Sequence, residues 1–180
     1  MGRVVVIEFV TVDGVVEDPD GRGGTPWGGW AFRHGPDSVA GDKFALGPLM
    51  DDGVLLLGRV TWELFAGVWP GRDDDFSRRM NGMDKLVVSR SDVDITRWVN
   101  SAQVKGDLVD AVKAESRDIV IAGSVGIVEQ LRDLVDEYRL LVFPSVAGQG
   151  RRLFADAAPD LELVRAEQVG QAVRSVYLRK

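Results

Sequence analysis

The sequence predicts an α/β fold: a mixed sheet, parallel in its middle and antiparallel at one edge, with helices on both faces. Three observations carry this reading. Short apolar runs alternate with amphipathic stretches, in the order β-α-β-α-β-α-β-α-β-β-β. Several of the runs end in glycine or serine next to arginine or a helix start, as strand–turn–helix units do. The chain closes with two runs around Gly170, Leu161–Gln168 and Ala172–Leu178, which read as an antiparallel hairpin.

At 180 residues the chain has the length of one domain with a full core, and its 45% apolar and 28% charged residues are ordinary globular values. A net charge of −6 argues against nucleic acid or an anionic membrane as main partner, since both select a basic face. A small anionic ligand held by a local arginine cluster remains compatible with it. With no cysteine there is no disulfide framework and no thiol chemistry. His34 is the sole histidine, which leaves little material for a histidine metal centre or a Ser-His relay, and no metal is expected. The start runs straight into Arg3-Val4-Val5-Val6-Ile7 without a signal pattern, and no apolar stretch reaches membrane-spanning length. The expected location is cytoplasmic.

Val4–Val12 reads as a buried strand interrupted by Glu8, which is either an outward position or a polar group facing a pocket. Asp13-Gly14 turns the chain into a long Gly- and Pro-rich loop, Glu17–Trp30. Two readings are open to its tryptophans, Trp27 and Trp30: the wall or lid of a pocket, or pins that hold the loop to the body. Asp37–Leu46 reads as a helix, with Asp42, Ala45, Leu46 and Leu49 on one face and Gly47-Pro48 as its break. A carboxylate on an apolar stripe must be paired or hold its proton, so Asp42 is a candidate proton donor or substrate anchor. The alternative is a helix-edge Asp reaching water.

The central stretch is Val54-Leu55-Leu56-Leu57-Gly58-Arg59-Val60-Thr61-Trp62-Glu63, a buried strand closed by glycine and followed by a helix. Gly58 permits a sharp turn, the helix start offers free N–H groups, and Arg59 can grip a phosphate with two hydrogen bonds. A plain strand–turn–helix connection is the competing reading. Asp73-Asp74-Asp75 reads as solvated, since consecutive residues converge poorly on one ion, and Phe76–Met83 as a short helix. Lys85–Arg90 is a third strand that also ends in a small polar residue plus arginine, Ser89-Arg90. Trp98-Val99 reads as a short strand or bridge, and Leu108–Ala114 as a helix capped by Asp107. Asp118–Ala122 leads into Gly123-Ser124-Val125-Gly126 and a strongly amphipathic helix with Ile127, Val128, Leu131, Leu134 and Val135 on one face. Ser124 is the expected N-cap of that helix. Tyr138–Val146 is a long strand, followed by a turn with Arg151 and Arg152.

The sequence resembles the dihydrofolate-reductase-like superfamily, in its bacterial branch related to the pyrimidine reductase domain of riboflavin biosynthesis. The resemblance spans nearly the whole chain. It is carried by Thr11-Val12-Asp13-Gly14, Leu56–Glu63, Val87–Arg90 and Ala122-Gly123-Ser124, and most specifically by Leu134–Leu140 running through Pro144 to Gly148–Phe154. It implies NADPH as cofactor, with Gly58, Arg59 and Thr61 at the phosphates, Ser89 and Arg90 near the adenosine 2′-phosphate, and Gly123, Ser124, Val125 and Gly126 at the pyrophosphate. Arginine at the 2′-phosphate favours NADPH over NADH by charge. Counting back from Gly58 places Asp42 where dihydrofolate reductases carry their substrate carboxylate. Two departures count against dihydrofolate itself. The family's Gly-Gly is Ala122-Gly123 here, and Leu140 and Leu141 supply no hydroxyl on the late strand.

The expected function is therefore an NADPH-dependent reductase of a small planar heterocycle, pterin- or pyrimidinone-like. The nicotinamide is expected near Phe9–Thr11 and Gly123, with Phe9, Thr11, Trp27 and Trp30 at the substrate and Asp42 as acid. The rival reading is a nucleotide-binding homodimeric module without turnover. A homodimer is expected in either case, with Tyr138–Val146 and its arginine-rich turn as the candidate interface.

Overall fold

The apolar runs become eight strands: β1 Val4–Thr11, β2 Val54–Gly58, β3 Asp84–Val88, β4 Ser101–Gln103, β5 Ile119–Ala122, β6 Glu137–Phe143, β7 Leu161–Val169 and β8 Ala172–Arg179. The helices are α1 Pro36–Val39, α2 Leu49–Asp52, α3 Arg59–Ala66, α4 Asp75–Gly82, α5 Leu108–Ala114 and α6 Val125–Leu131. The structure is a computed structural model that describes residues 1–40, 46–155 and 159–180. The strands form one sheet in the order β4-β3-β2-β5-β1-β6-β8-β7. β2 runs parallel to β3 and β5, and β3 parallel to β4. β8 runs antiparallel to β6 and β7. This is the mixed sheet the alternation of the sequence predicts.

The chain separates into two compact units, Met1–Val5 with Leu46–Val135, and Val6–Ala45 with Asp136–Lys180. In the first unit β5 is buried throughout, and β2 is buried up to Gly58. That is why both read as unbroken apolar runs rather than as alternating ones. Asp107 caps α5 through Asp110 N at 3.0 Å. Asp74, the middle member of the acidic triplet, caps α4 by accepting from Ser77 N at 3.1 Å and Ser77 Oγ at 2.6 Å. Trp98 is not in a strand: it closes a 3₁₀ turn over Ile95–Arg97, is 1% exposed, and donates from Nε1 to Asn81 Oδ1 at 2.7 Å. The strand begins three residues later, at Ser101. α6 gives way to a 3₁₀ turn at Arg132–Leu134, and Ile127, Val128, Leu131 and Val135 all end up buried.

Lys85 is an unexpected member of this core, 1% exposed. Its Nζ donates to Asn81 O at 2.7 Å and Val99 O at 3.1 Å, and lies 4.4 Å from the centre of the Trp98 ring. Burial, partly offset by the neighbouring Asp84 charge, lowers its pKa to about 8. In the unfolded chain lysine titrates near about 10.4. Between these two values the unfolded chain holds a proton that the folded chain has shed, so stability rises with pH across that window. Urea midpoints should climb from pH 8 towards pH 10, with a Lys85 contribution of up to roughly 3 kcal/mol. Lys85→Met should remove that contribution; an identical climb in the variant would contradict the assignment.

In the second unit α1 is a single turn that ends at Ala40, where the sequence reads one helix from Asp37 to Leu46. Residues 41–45, Asp42 among them, lie outside the described residues. β7 and β8 form the expected hairpin through Gly170, whose φ of +58° and approach to Ser38 suit glycine alone. The order of strands is less direct: β8, not β7, neighbours β6. β7 is therefore the edge, mostly exposed, with a bulge between Leu163 and Arg165. β6 stops at Phe143, before Pro144, which has no N–H to donate. It is an interior strand with Tyr138, Leu141 and Phe143 buried. It has a strand on each side, so it offers no free strand edge.

Candidate functional site

The rim begins with strand direction. β3, β2 and β5 are adjacent and parallel, so their C-terminal ends share one border, the usual ligand edge of α/β sheets. Gly58 is the register partner of Val88, which places Arg59 beside Ser89-Arg90. Gly58 N donates to Ser124 Oγ at 3.0 Å, which joins the end of β2 to the turn after β5. Arg59 Nη1 donates to Ser91 Oγ at 2.7 Å, and Ser91 N donates to Ser89 Oγ at 3.2 Å. Gln103 of β4 fastens the same loop by donating to Ser91 O at 2.9 Å. Gly58, Arg59, Ser89, Ser124 and their neighbours are thus one hydrogen-bonded border.

Two expectations about this border need correcting. Gly58 has φ −67° and ψ 152°, extended geometry open to any residue, and a Cβ there would lie 3.6 Å from Ser124 Oγ, an ordinary contact. Gly58 is not the sharp turn; its N–H is what the turn uses. Ser124 does not cap α6 with its side chain. Its hydroxyl is engaged with Gly58 N and with Ala122 O at 3.4 Å, while its backbone carbonyl receives Ile127 N at 2.7 Å. The position that does demand glycine is Gly123. Its φ is +66°, and a Cβ would stand 3.2 Å from Cγ2 of Thr61, in the first turn of α3. Val125 and Gly126 open α6 directly behind it.

The two arginines differ. Arg59 Nε donates to Glu63 Oε1 at 2.8 Å across an i,i+4 pair whose side chains are both substantially exposed. Such a pair is worth only about 0.3–0.5 kcal/mol, so an incoming phosphate competes with Glu63 at little cost. Arg90 is exposed and has no hydrogen-bond or ion-pair partner among the described residues. At the other ends of these strands a 360 Å³ cleft is lined by Asp51, Asp52, Gly53, Gly82, Met83, Asp84 and Arg117. Its lining is mostly acidic, with Arg117 paired to Asp84 at 2.7 Å.

The second unit holds the residues read as substrate-binding. Trp30 is 1% exposed, donates from Nε1 to Glu17 O at 2.8 Å, and packs with Ala31, Leu141, Phe143 and Ala172. It is a core residue, not a lid, so the pinning reading is the one that applies to it. Trp27 is half-buried against Gly150, where an added Cβ would come within 2.7 Å of its Nε1. The loop that leads to them is wound about the Asp18 carboxylate, which accepts from Gly23 N at 2.7 Å, Thr25 N at 2.9 Å and Thr25 Oγ1 at 2.8 Å. Burial raises the Asp18 pKa, but these bonds together outweigh it and the net shift is downward.

Thr11 is buried, its hydroxyl donating to Asp13 Oδ1 at 2.6 Å and accepting from Val15 N at 2.9 Å. Its single proton is committed to Asp13, so it has none to donate to a substrate. Asp13 in turn accepts from Ala147 N at 3.1 Å and Gly148 N at 2.8 Å, and the Thr11 hydroxyl is the first of the bonds that hold its pKa down to about 2. Phe9 remains partly exposed, 5.2 Å from the Phe143 ring. Glu8, one residue earlier, points to the opposite face of β1, and it is not an outward position: it is 5% exposed and burial holds its carboxyl well above the usual range. The sequence offers His34 only as a lone histidine, yet its Nε2 lies 2.7 Å from Ser145 Oγ, across 111 residues of chain. No local pattern signals that pairing.

A parallel strand–helix core with a Gly–Arg, a Ser–Arg and a Gly–Ser pair along one border, continued by an antiparallel hairpin, defines a dihydrofolate-reductase-like α/β domain. The chain belongs to the RibD C-terminal domain family, which it matches over residues 3–174. That family is one of reductase-like domains associated with riboflavin biosynthesis. Among solved structures the chain is similar to a protein from Shewanella sp. PV-4 described as a candidate riboflavin biosynthesis protein. The two are 25% identical, with a TM-score of 0.69 over 100% of this chain and 99% of that one. No curated protein matches the sequence.

Proposed function

We propose that the chain is an NADPH-dependent reductase of a small planar heterocycle of the pterin or pyrimidinone type. One observation carries the reading: Gly58-Arg59, Ser89-Arg90 and Gly123-Ser124 lie on a single border of the parallel strands and are linked there by hydrogen bonds. The group fits the residues present. Gly123 and Ser124, both in left-handed geometry, shape a tight turn, and Arg90 is a cation without a protein partner among the described residues. Bound NADPH supplies the hydride. The chain does the rest. Arg90 and Ser89 take the 2′-phosphate, Arg59 and Thr61 take a diphosphate oxygen, and the Gly123–Gly126 turn lies along the pyrophosphate. Asp42 delivers the proton that accompanies hydride to a C=N or C=O group.

Tryptophan fluorescence should fall on titration with NADPH and respond more weakly to NADH, and loss of reduced-nicotinamide absorbance should follow on adding a pterin or pyrimidinone. Failure to bind either nucleotide at millimolar concentration ends the reading. Binding without oxidation across pterins, pyrimidinones and quinones replaces it with a nucleotide-binding module.

A further inference from the structure

His34 is a half-exposed side chain of the second unit with a defined partner, and no step above uses it. Its backbone carbonyl accepts from the buried Ser38 hydroxyl at 2.8 Å, and that hydroxyl also accepts Gln171 N at 2.9 Å. The preceding Arg33 ties down the other side, donating to Gly28 O at 3.2 Å and Gly29 O at 3.4 Å. The ring lies over the aromatic cluster, 6.0 Å from Phe143. Ser145 Oγ lies 3.2 Å from Trp30 O and 2.7 Å from His34 Nε2; with the hydroxyl proton directed to Trp30 O, the shorter contact is His34 Nε2–H donating to Oγ. That arrangement puts the imidazole proton on Nε2. Nδ1 then carries a lone pair, with no partner among the described residues. Two residues away Phe32 is 55% exposed and offers ring surface.

An imidazole that touches Ser145 and Phe143 and stands on an anchored backbone, with one nitrogen spent on orientation and the other left as an acceptor, is a preorganised recognition group. We infer that His34 Nδ1 accepts a hydrogen bond from a ring N–H of the planar heterocycle, and that Ser145 is the positioning residue that aims it. The inference rests on the reductase reading for the class of ligand, but its test is a binding measurement that needs neither nucleotide nor turnover.

The probes are pterin, which carries a ring N–H, and 1,4-naphthoquinone, which is planar and has none, each titrated by calorimetry. Wild type should prefer pterin. His34→Phe should weaken pterin about ten-fold, as expected for an unmatched polar group, and leave naphthoquinone unchanged. The amide variants separate recognition from mere support. In His34→Asn the side-chain oxygen stands near the Nδ1 position, so pterin affinity should stay within about three-fold. In His34→Gln the amide reaches Ser145 but leaves no acceptor at Nδ1, so pterin affinity should fall as in His34→Phe. The reverse pattern, glutamine like wild type and asparagine weak, would make His34 a structural residue and overturn the inference. So would equal loss of both probes, or no pterin binding by folded wild type. NADPH binding, measured separately, reports on the reductase reading alone: pterin recognition through His34 in a chain that ignores NADPH would keep this inference and end that one.

Discussion

An Arg90→Ala variant should bind NADPH roughly ten- to a hundred-fold more weakly, with NADH affinity within about two-fold of wild type. The magnitude follows from the bond lost. A hydrogen bond to a charged group is worth roughly 1.5–3 kcal/mol, about twice a neutral one. Arg90 is poised for that interaction because it is exposed and has no partner to surrender among the described residues. Arg59 is the control. Its guanidinium already serves Glu63 and Ser91, so Arg59→Ala should weaken both nucleotides together and loosen the 89–91 loop as well. The selectivity ratio, measured by fluorescence titration at fixed ionic strength, is the decisive quantity. Equal loss of NADPH and NADH in Arg90→Ala would contradict the 2′-phosphate role.

Gly123→Val should be the most destabilising single change on this border, by roughly 2–4 kcal/mol. Two penalties add. A β-branched residue at φ +66° leaves its allowed regions, and its Cβ would press on Cγ2 of Thr61 at 3.2 Å. For a chain of this size the thermal midpoint should drop by roughly 5–15 °C. Gly123→Asn should be milder, since asparagine tolerates the left-handed region, and Gly123→Ala combined with Thr61→Ala should recover the steric share only. Gly58→Ala should be nearly neutral by comparison, because Gly58 has ordinary extended geometry. Circular-dichroism melts of the four variants check the series. A Gly123→Val protein that melts with wild type would refute the left-handed turn.

Much of the fold was legible because hydrophobic period and turn chemistry are local. Val54–Leu57 and Ile119–Ala122 announced buried parallel strands by being apolar throughout. Asp107 marked its helix start by residue type alone. The border of strand ends was legible for the same reason: each of its pairs closes a strand, and parallel strands put those closures together. Where local rules failed, a distant partner had intervened. Ser124 is a sound cap by type, but Gly58 N claims its hydroxyl from 66 residues away. Trp30 sits in a loop by sequence and in the core by packing, against strands more than a hundred residues later. Thr11 looks free to donate until Asp13 is seen to take its only hydroxyl proton.

By itself, then, the sequence determined most of the element types, the strand ends that carry arginine, and the family, because these follow from period, turn residues and short ordered motifs. Only the tertiary structure decided which glycine is indispensable, which tryptophan is core, and that a single histidine is oriented by a serine 111 residues away. Backbone dihedrals at a turn and hydrogen bonds between distant segments are set by how the packed elements meet. No window of neighbouring residues contains that information.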